Sequence, residues 1–75
     1  MMLRYRFAMQ LTVNNELFSV SAPASLQGFL AELRLDEKKG IAVAVNDAIV
    51  ARSTWNTFAL KENDSITIIQ ATQGG

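Results

Sequence analysis

Odd positions near the start of the chain are apolar: Leu3, Tyr5, Phe7, Met9, Leu11 and Val13. The even positions between them are mostly polar, Arg4, Arg6, Gln10 and Thr12, with Ala8 the exception. A period of two predicts a strand with one buried face. Asn14 to Glu16 carry a turn signal, and Phe18 and Val20 then alternate with Ser19 and Ser21. The two runs predict a hairpin, which Pro23 ends. The period then changes. Leu26, Phe29, Leu30 and Leu33 follow at i, i+3, i+4 and i+7, the stripe of an amphipathic helix, with Ser25 placed to cap its start. Gly28 weakens the first turn, and close packing against a sheet would account for it. "LDEKKG" predicts the helix end, with Lys38 and Lys39 where the helix dipole favours cations and Gly40 free to turn left-handed.

"IAVAVN" returns to strand character, with Ile41, Val43 and Val45 on the inward parity and Ala42 and Ala44 on the outward one. "ND" is a turn and "AIV" a short strand. "ARSTWNTFAL" reads as irregular, with one helical turn around Ser53 to Asn56. "KENDS" is a turn before the last strand, "ITIIQA", in which Ile66 and Ile68 point inward and Thr67, Ile69 and Ala71 outward. The order is ββαβββ. One long helix must cover one face of a mixed sheet of about five strands, and the last strand, the most continuously apolar, belongs in its middle. The expected class is α+β, in the β-grasp or ubiquitin-like arrangement.

Composition narrows the chemistry. Seventy-five residues make one small domain, and 49% hydrophobic content is enough to fold it without staples. There is no cysteine and no histidine, which removes thiolate metal sites, disulfides and every Ser-His or Cys-His nucleophile. Seven basic and seven acidic residues cancel, against the basic excess of a nucleic-acid binder. Glu32, Asp36, Glu37, Glu62 and Asp64 show no spacing that suggests a metal or an acid/base pair. No apolar run spans a bilayer and "MMLRYRFAMQ" lacks the apolar centre of a signal peptide, so the expected location is the cytoplasm.

From Met9 to Gly75 the chain resembles the ThiS family, the sulfur carriers of thiazole formation in thiamine biosynthesis. Three pieces carry the resemblance, in order: "MQLTVNNELFSV"; "AVNDAIVARSTW", with Val45, Asn46, Val50, Arg52 and Trp55; and "LKENDSITIIQATQGG", with Asp64, Ile66, Ile68, Gly74 and Gly75. Ala51 stands where the family often has proline, and Asn63 where it often has glycine. The resemblance implies a protein that is not an enzyme and holds no cofactor of its own. A ThiF-like enzyme would adenylate the Gly75 carboxylate with ATP. A sulfur donor protein would convert it to a thiocarboxylate, and a ThiG-like thiazole synthase would take the sulfur. A MoaD-like carrier of molybdopterin synthesis is the close alternative, and a β-grasp interaction module that is never activated is the distant one. "ATQ" before the glycines, rather than a proline-rich approach, favours the thiamine reading.

The physics of the tail agrees. Glycine has no Cβ, so Gly74 and Gly75 are thin enough for a channel and adopt whatever φ it demands. Thr72 and Gln73 would be recognised through backbone or amide hydrogen bonds. Taken alone, a terminal Gly-Gly is equally a frayed end or a cloning scar. Ile69, with outward Ala42 and Ala44 beside it, forms the expected partner surface. Trp55 and Arg52 read as structural, the ring filling the edge of the core and the arginine lying over it or pairing with an acid. Asp64 should cap its own turn.

The expected organisation is therefore residues 1–8 as an extension of the first strand, 9–71 as the β-grasp domain and 72–75 as a flexible tail. The extension lies outside the resemblance, and Met9 is an alternative start. A longer first strand would leave an exposed apolar edge, which a second copy would cover in a strand-exchanged homodimer.

Overall fold

A computed structural model of the chain describes residues 7–70. Two asparagine-led turns build its two hairpins. Asn14 and Asn15 have φ of 50° and 71°, and Asn46 and Asp47 have φ of 53° and 71°. Positive φ at both central residues is the type I′ condition, whose twist matches that of paired strands, and asparagine and aspartate accept it better than other side chains. The first turn joins β1 (Phe7–Val13) to β2 (Glu16–Ala22), and the second joins β3 (Ile41–Val45) to β4 (Ala48–Val50). β5 (Ser65–Gln70) lies between the hairpins, giving the order β2-β1-β5-β3-β4. It runs parallel to β1, with Thr12 opposite Ser65, and antiparallel to β3, with Ile41 opposite Gln70. The last strand is central, as its apolar run requires, and the mixed five-stranded sheet with one helix is the β-grasp arrangement.

The helix α1 (Leu26–Glu32) starts where Ser25 Oγ accepts the N–H of Gly28 at 3.0 Å. It buries Leu26, Phe29 and Leu30 against Met9, Leu11, Val13, Val43, Val45 and Ile66 of the sheet, and leaves Leu33 half-buried. Phe18 of β2 meets Phe29 edge-to-face, with ring centroids 6.0 Å apart. Each such buried side chain contributes about 1.5–3 kcal/mol over its exposed state.

The helix end differs from expectation. It stops at Glu32, and Arg34 takes the left-handed conformation, φ 62°. Arg34 N–H donates to Ala31 O and Leu35 N–H to Leu30 O, the paired bonds of a Schellman cap. Asp36 to Lys39 thus form a loop, and the lysines are not in the last helical turn. Gly40 is left-handed, φ 78°, but at the entry to β3. Gly28 does not pack on the sheet either. It is exposed, and a Cβ there would lie 3.2 Å from the capping Ser25 Oγ.

Candidate functional site

The inner face of the sheet is spent on the helix, which leaves the outer face and the end of β5. Strand alternation puts Ala42 and Ala44 of β3, Thr67 and Ile69 of β5, and Ile49 of β4 on the outer face. Ile69 is the register partner of Ala42, and Ala44 lies between Thr67 and Ile49. Ile69 is 53% exposed and Ile49 67% exposed. Ala44 is on the expected face but only 7% exposed, because its small side chain sits between two larger neighbours. Ile49 completes the patch and was not singled out in the sequence. Its signal was available: "AIV" alternates, so a buried Val50 turns Ile49 outward. Leu17, 65% exposed, joins the same outer face on β2 opposite Thr12, toward the other side of the sheet.

β5 carries the chain from this patch to its end. Its last described residue, Gln70, lies opposite Ile41. Thr72, Gln73, Gly74 and Gly75 lie outside the described residues.

The start of β5 is fastened by side chains. The buried carboxylate of Asp64 accepts the Lys61 N–H at 2.8 Å through Oδ2, capping its own turn as expected. Its Oδ1 accepts Asn46 Nδ2 at 2.9 Å, and Asn46 Oδ1 accepts the Ser65 N–H at 2.9 Å. Asn63, φ 70°, supplies the left-handed step before Asp64. One asparagine therefore bonds the β3–β4 turn to the residue that opens β5.

The arginine and tryptophan block is structural. Trp55, on a 3₁₀ turn (Arg52–Thr57), is 1% exposed and donates Nε1–H to Val50 O at 3.0 Å. The Arg52 guanidinium lies over the ring and pairs with no acid among the described residues. Instead its two terminal nitrogens donate to the carbonyls of Asp36 and Lys38, at 2.8 and 2.9 Å. Among the described residues there is no cluster of carboxylates that would hold a metal, and no helix is long and apolar enough to cross a membrane.

Comparison with known proteins fits this geometry. The crystal structure of the thiamine biosynthesis protein ThiS from Geobacter metallireducens superposes with a TM-score of 0.76 at 22% identity, over 89% of this chain and all of that one (100%). A solution structure of a thiamine biosynthesis protein from the same organism gives 0.72 at 22% identity, over 89% of this chain and 88% of that one. These establish the fold. A thiazole synthase of Magnetococcus marinus is 33% identical over 67 residues, which is 89% of this chain but 20% of that protein. The chain thus spans about a fifth of the length of this curated relative. The ThiS family profile matches residues 7–75, nearly the whole sequence, and the chain belongs to the ThiS family, the small β-grasp sulfur carriers its sequence resembles.

Proposed function

We propose that this chain carries sulfur for thiazole formation in thiamine biosynthesis, on the carboxylate of Gly75. The observation that supports this reading most directly is the path of β5. The strand that bears the exposed Ile69 is also the strand that leads into the Gly-Gly tail. A partner that docks on the sheet thereby has the reacting end within a limited reach of its surface. The five residues after Gln70 reach at most about 18 Å when extended.

In this reading the Gly75 carboxylate attacks the α-phosphorus of ATP in the site of a ThiF-like enzyme, and pyrophosphate leaves. A sulfur donor protein then turns the acyl-adenylate into a thiocarboxylate with release of AMP, and thiazole synthase consumes the sulfur. The carrier contributes the handle and the docking face, Ile69, Ala42, Ala44 and Ile49, while Thr72, Gln73 and Gly74 are read by the partner's channel. It binds no cofactor and catalyses no step. The thiazole synthase of Magnetococcus marinus that contains a segment similar to this chain supports that enzyme as the acceptor. The cytoplasm, where ATP is available, is the compartment this chemistry needs. The proposed homodimer is compatible with it, since β1 begins at the end of the sheet opposite Gln70.

The test is an intact mass after incubation with a ThiF-like enzyme, ATP and a sulfur donor. A gain equal to one oxygen replaced by one sulfur is expected. No gain with an enzyme that modifies its own carrier overturns the reading. Deleting Gly75, or adding a residue after it, should abolish the gain and leave the fold unchanged.

A further inference from the structure

β5 is central for its first half only. Thr12 N–H donates to Asp64 O at 3.0 Å and Asn14 N–H to Ile66 O at 2.9 Å, so Asp64 and Ile66 turn their backbone groups toward β1. The same parity turns Ile68 and Gln70 that way. There β1 has ended. The Asn14–Asn15 turn sends the chain back into β2, and the Asn14 side chain makes the last bond on this side, its Oδ1 accepting Ile68 N–H at 2.8 Å. Beyond it, the Ile68 carbonyl and both backbone groups of Gln70 have no partner among the described residues, while the other side of β5 stays paired to β3 as far as Ile41.

Such an edge is a template for another strand, and proteins usually blunt theirs with charge, proline or a bulge. Ile68, Ile69 and Gln70 carry none of these. The edge is also continuous with the apolar outer patch through Ile69, and five residues further on the chain ends in Gly75.

We propose that this edge is where an extended, uncharged segment of the adenylating partner adds to the sheet, accepting from Gln70 N–H and donating to the Ile68 carbonyl. The inference rests on the carrier reading above. Its mechanical sense follows from chain identity: edge and tail are one strand. Backbone pairing at Ile68 and Gln70 would fix the direction in which the chain continues past Gln70, and so aim the Gly-Gly end at the partner's channel. Strand addition gives affinity through the main chain and register through the alternate side chains. Here the alternate side chain is Ile69, which the same partner would cover.

Gln70→Pro isolates the edge. Its N–H does not serve the β3 ladder, so proline removes only the outward donor, a position where edge strands tolerate it. Gln70→Ala keeps the donor and removes the side chain. With wild-type carrier adenylated normally, the expected result is a loss of about tenfold in kcat/KM for Gln70→Pro, mostly through KM, and near wild-type values for Gln70→Ala. Equal values for the two variants overturn the edge reading alone; a wild-type carrier that is never adenylated overturns the carrier reading and this one with it. Hydrogen exchange needs no variant. The Gln70 amide should exchange quickly in the free carrier and at least tenfold more slowly when the carrier is bound to the adenylating enzyme without ATP. Unchanged exchange in that complex also overturns the proposal.

Discussion

The guanidinium of Arg52 lies 4.4 Å from the centroid of the Trp55 ring and closes on the carbonyls of Asp36 and Lys38. A planar cation stacked on a ring and forked onto two carbonyls is work only arginine can do. Arg52 therefore ties the 3₁₀ turn, which it opens, to the loop after α1, 14 to 16 residues earlier in the chain. Arg52→Lys should cost about 1–2 kcal/mol in urea unfolding, nearly as much as Arg52→Ala, because lysine keeps the charge and loses the fork. Sulfur loading of the folded fraction should be unchanged. A lysine variant as stable as wild type would show that the carbonyl bonds contribute nothing.

Asp64 offers a sharper test of the same kind. Its two oxygens accept from two different donors, Asn46 Nδ2 and the Lys61 N–H, in a site 3% exposed. Asp64→Asn replaces one acceptor by a donor, so one of those N–H groups faces another. The expected cost is about 2 kcal/mol, the range for a buried polar group deprived of its partner. Asn46→Gly keeps the left-handed backbone of the turn and removes the side-chain bonds, so it should lose less than Asn46→Ala, which forfeits both. Equilibrium unfolding of the three variants separates backbone from bond.

How much of this was legible in the sequence depends on the range of the interaction. The hairpins, the helix stripe, the Ser25 cap and the central last strand follow from local period and turn chemistry, and the structure has them. Arg52 could be placed over Trp55, but not onto the carbonyls of Asp36 and Lys38, because backbone carbonyls carry no sequence signature. The helix end was misjudged for a related reason. Lysines and a glycine are the usual stop signals, but the helix stops at Glu32, with Leu33 as its cap and an arginine, Arg34, in the left-handed position. Ala44 was placed on the right face, yet whether a small side chain there is reachable depends on Ile49 and Thr67 across two strand pairs. The outer patch is half visible: parity gives Ile69 and turns Ile49 outward, but only the pairing of β4 with β3 sets Ile49 beside Ala44 in the same patch.

Arg34 follows from that misjudged end. A non-glycine residue in the left-handed region costs roughly 1–2 kcal/mol, and Arg34 is exposed at the helix's C′ position. Arg34→Gly should stabilise the protein, by about 0.5–1 kcal/mol once the extra freedom glycine gives the unfolded chain is set against the relief. Arg34→Asn should fall between the two. A glycine variant less stable than wild type would mean that the arginine side chain holds the loop through contacts that outweigh its backbone strain.

The outer patch offers the most direct test of the proposed docking face. Ile69 and Ile49 lie on one face, each more than half exposed at 53% and 67%, so replacing either with lysine buries no charge and opens no cavity. Ile69→Lys and Ile49→Lys should each leave unfolding free energy within about 0.5 kcal/mol of wild type. Their effect on adenylation should be large, because a docked partner would have to desolvate the new charge against an apolar surface. At least a tenfold loss in kcat/KM is expected for Ile69→Lys, carried by KM, since the substitution weakens binding and leaves the Gly75 carboxylate intact. If one partner surface covers both residues, the double variant should lose less than the product of the single losses, as residues of one contact couple. Strict multiplication would place Ile49 outside the surface that Ile69 belongs to, and a single Ile69→Lys with wild-type KM would remove the docking role of this face altogether.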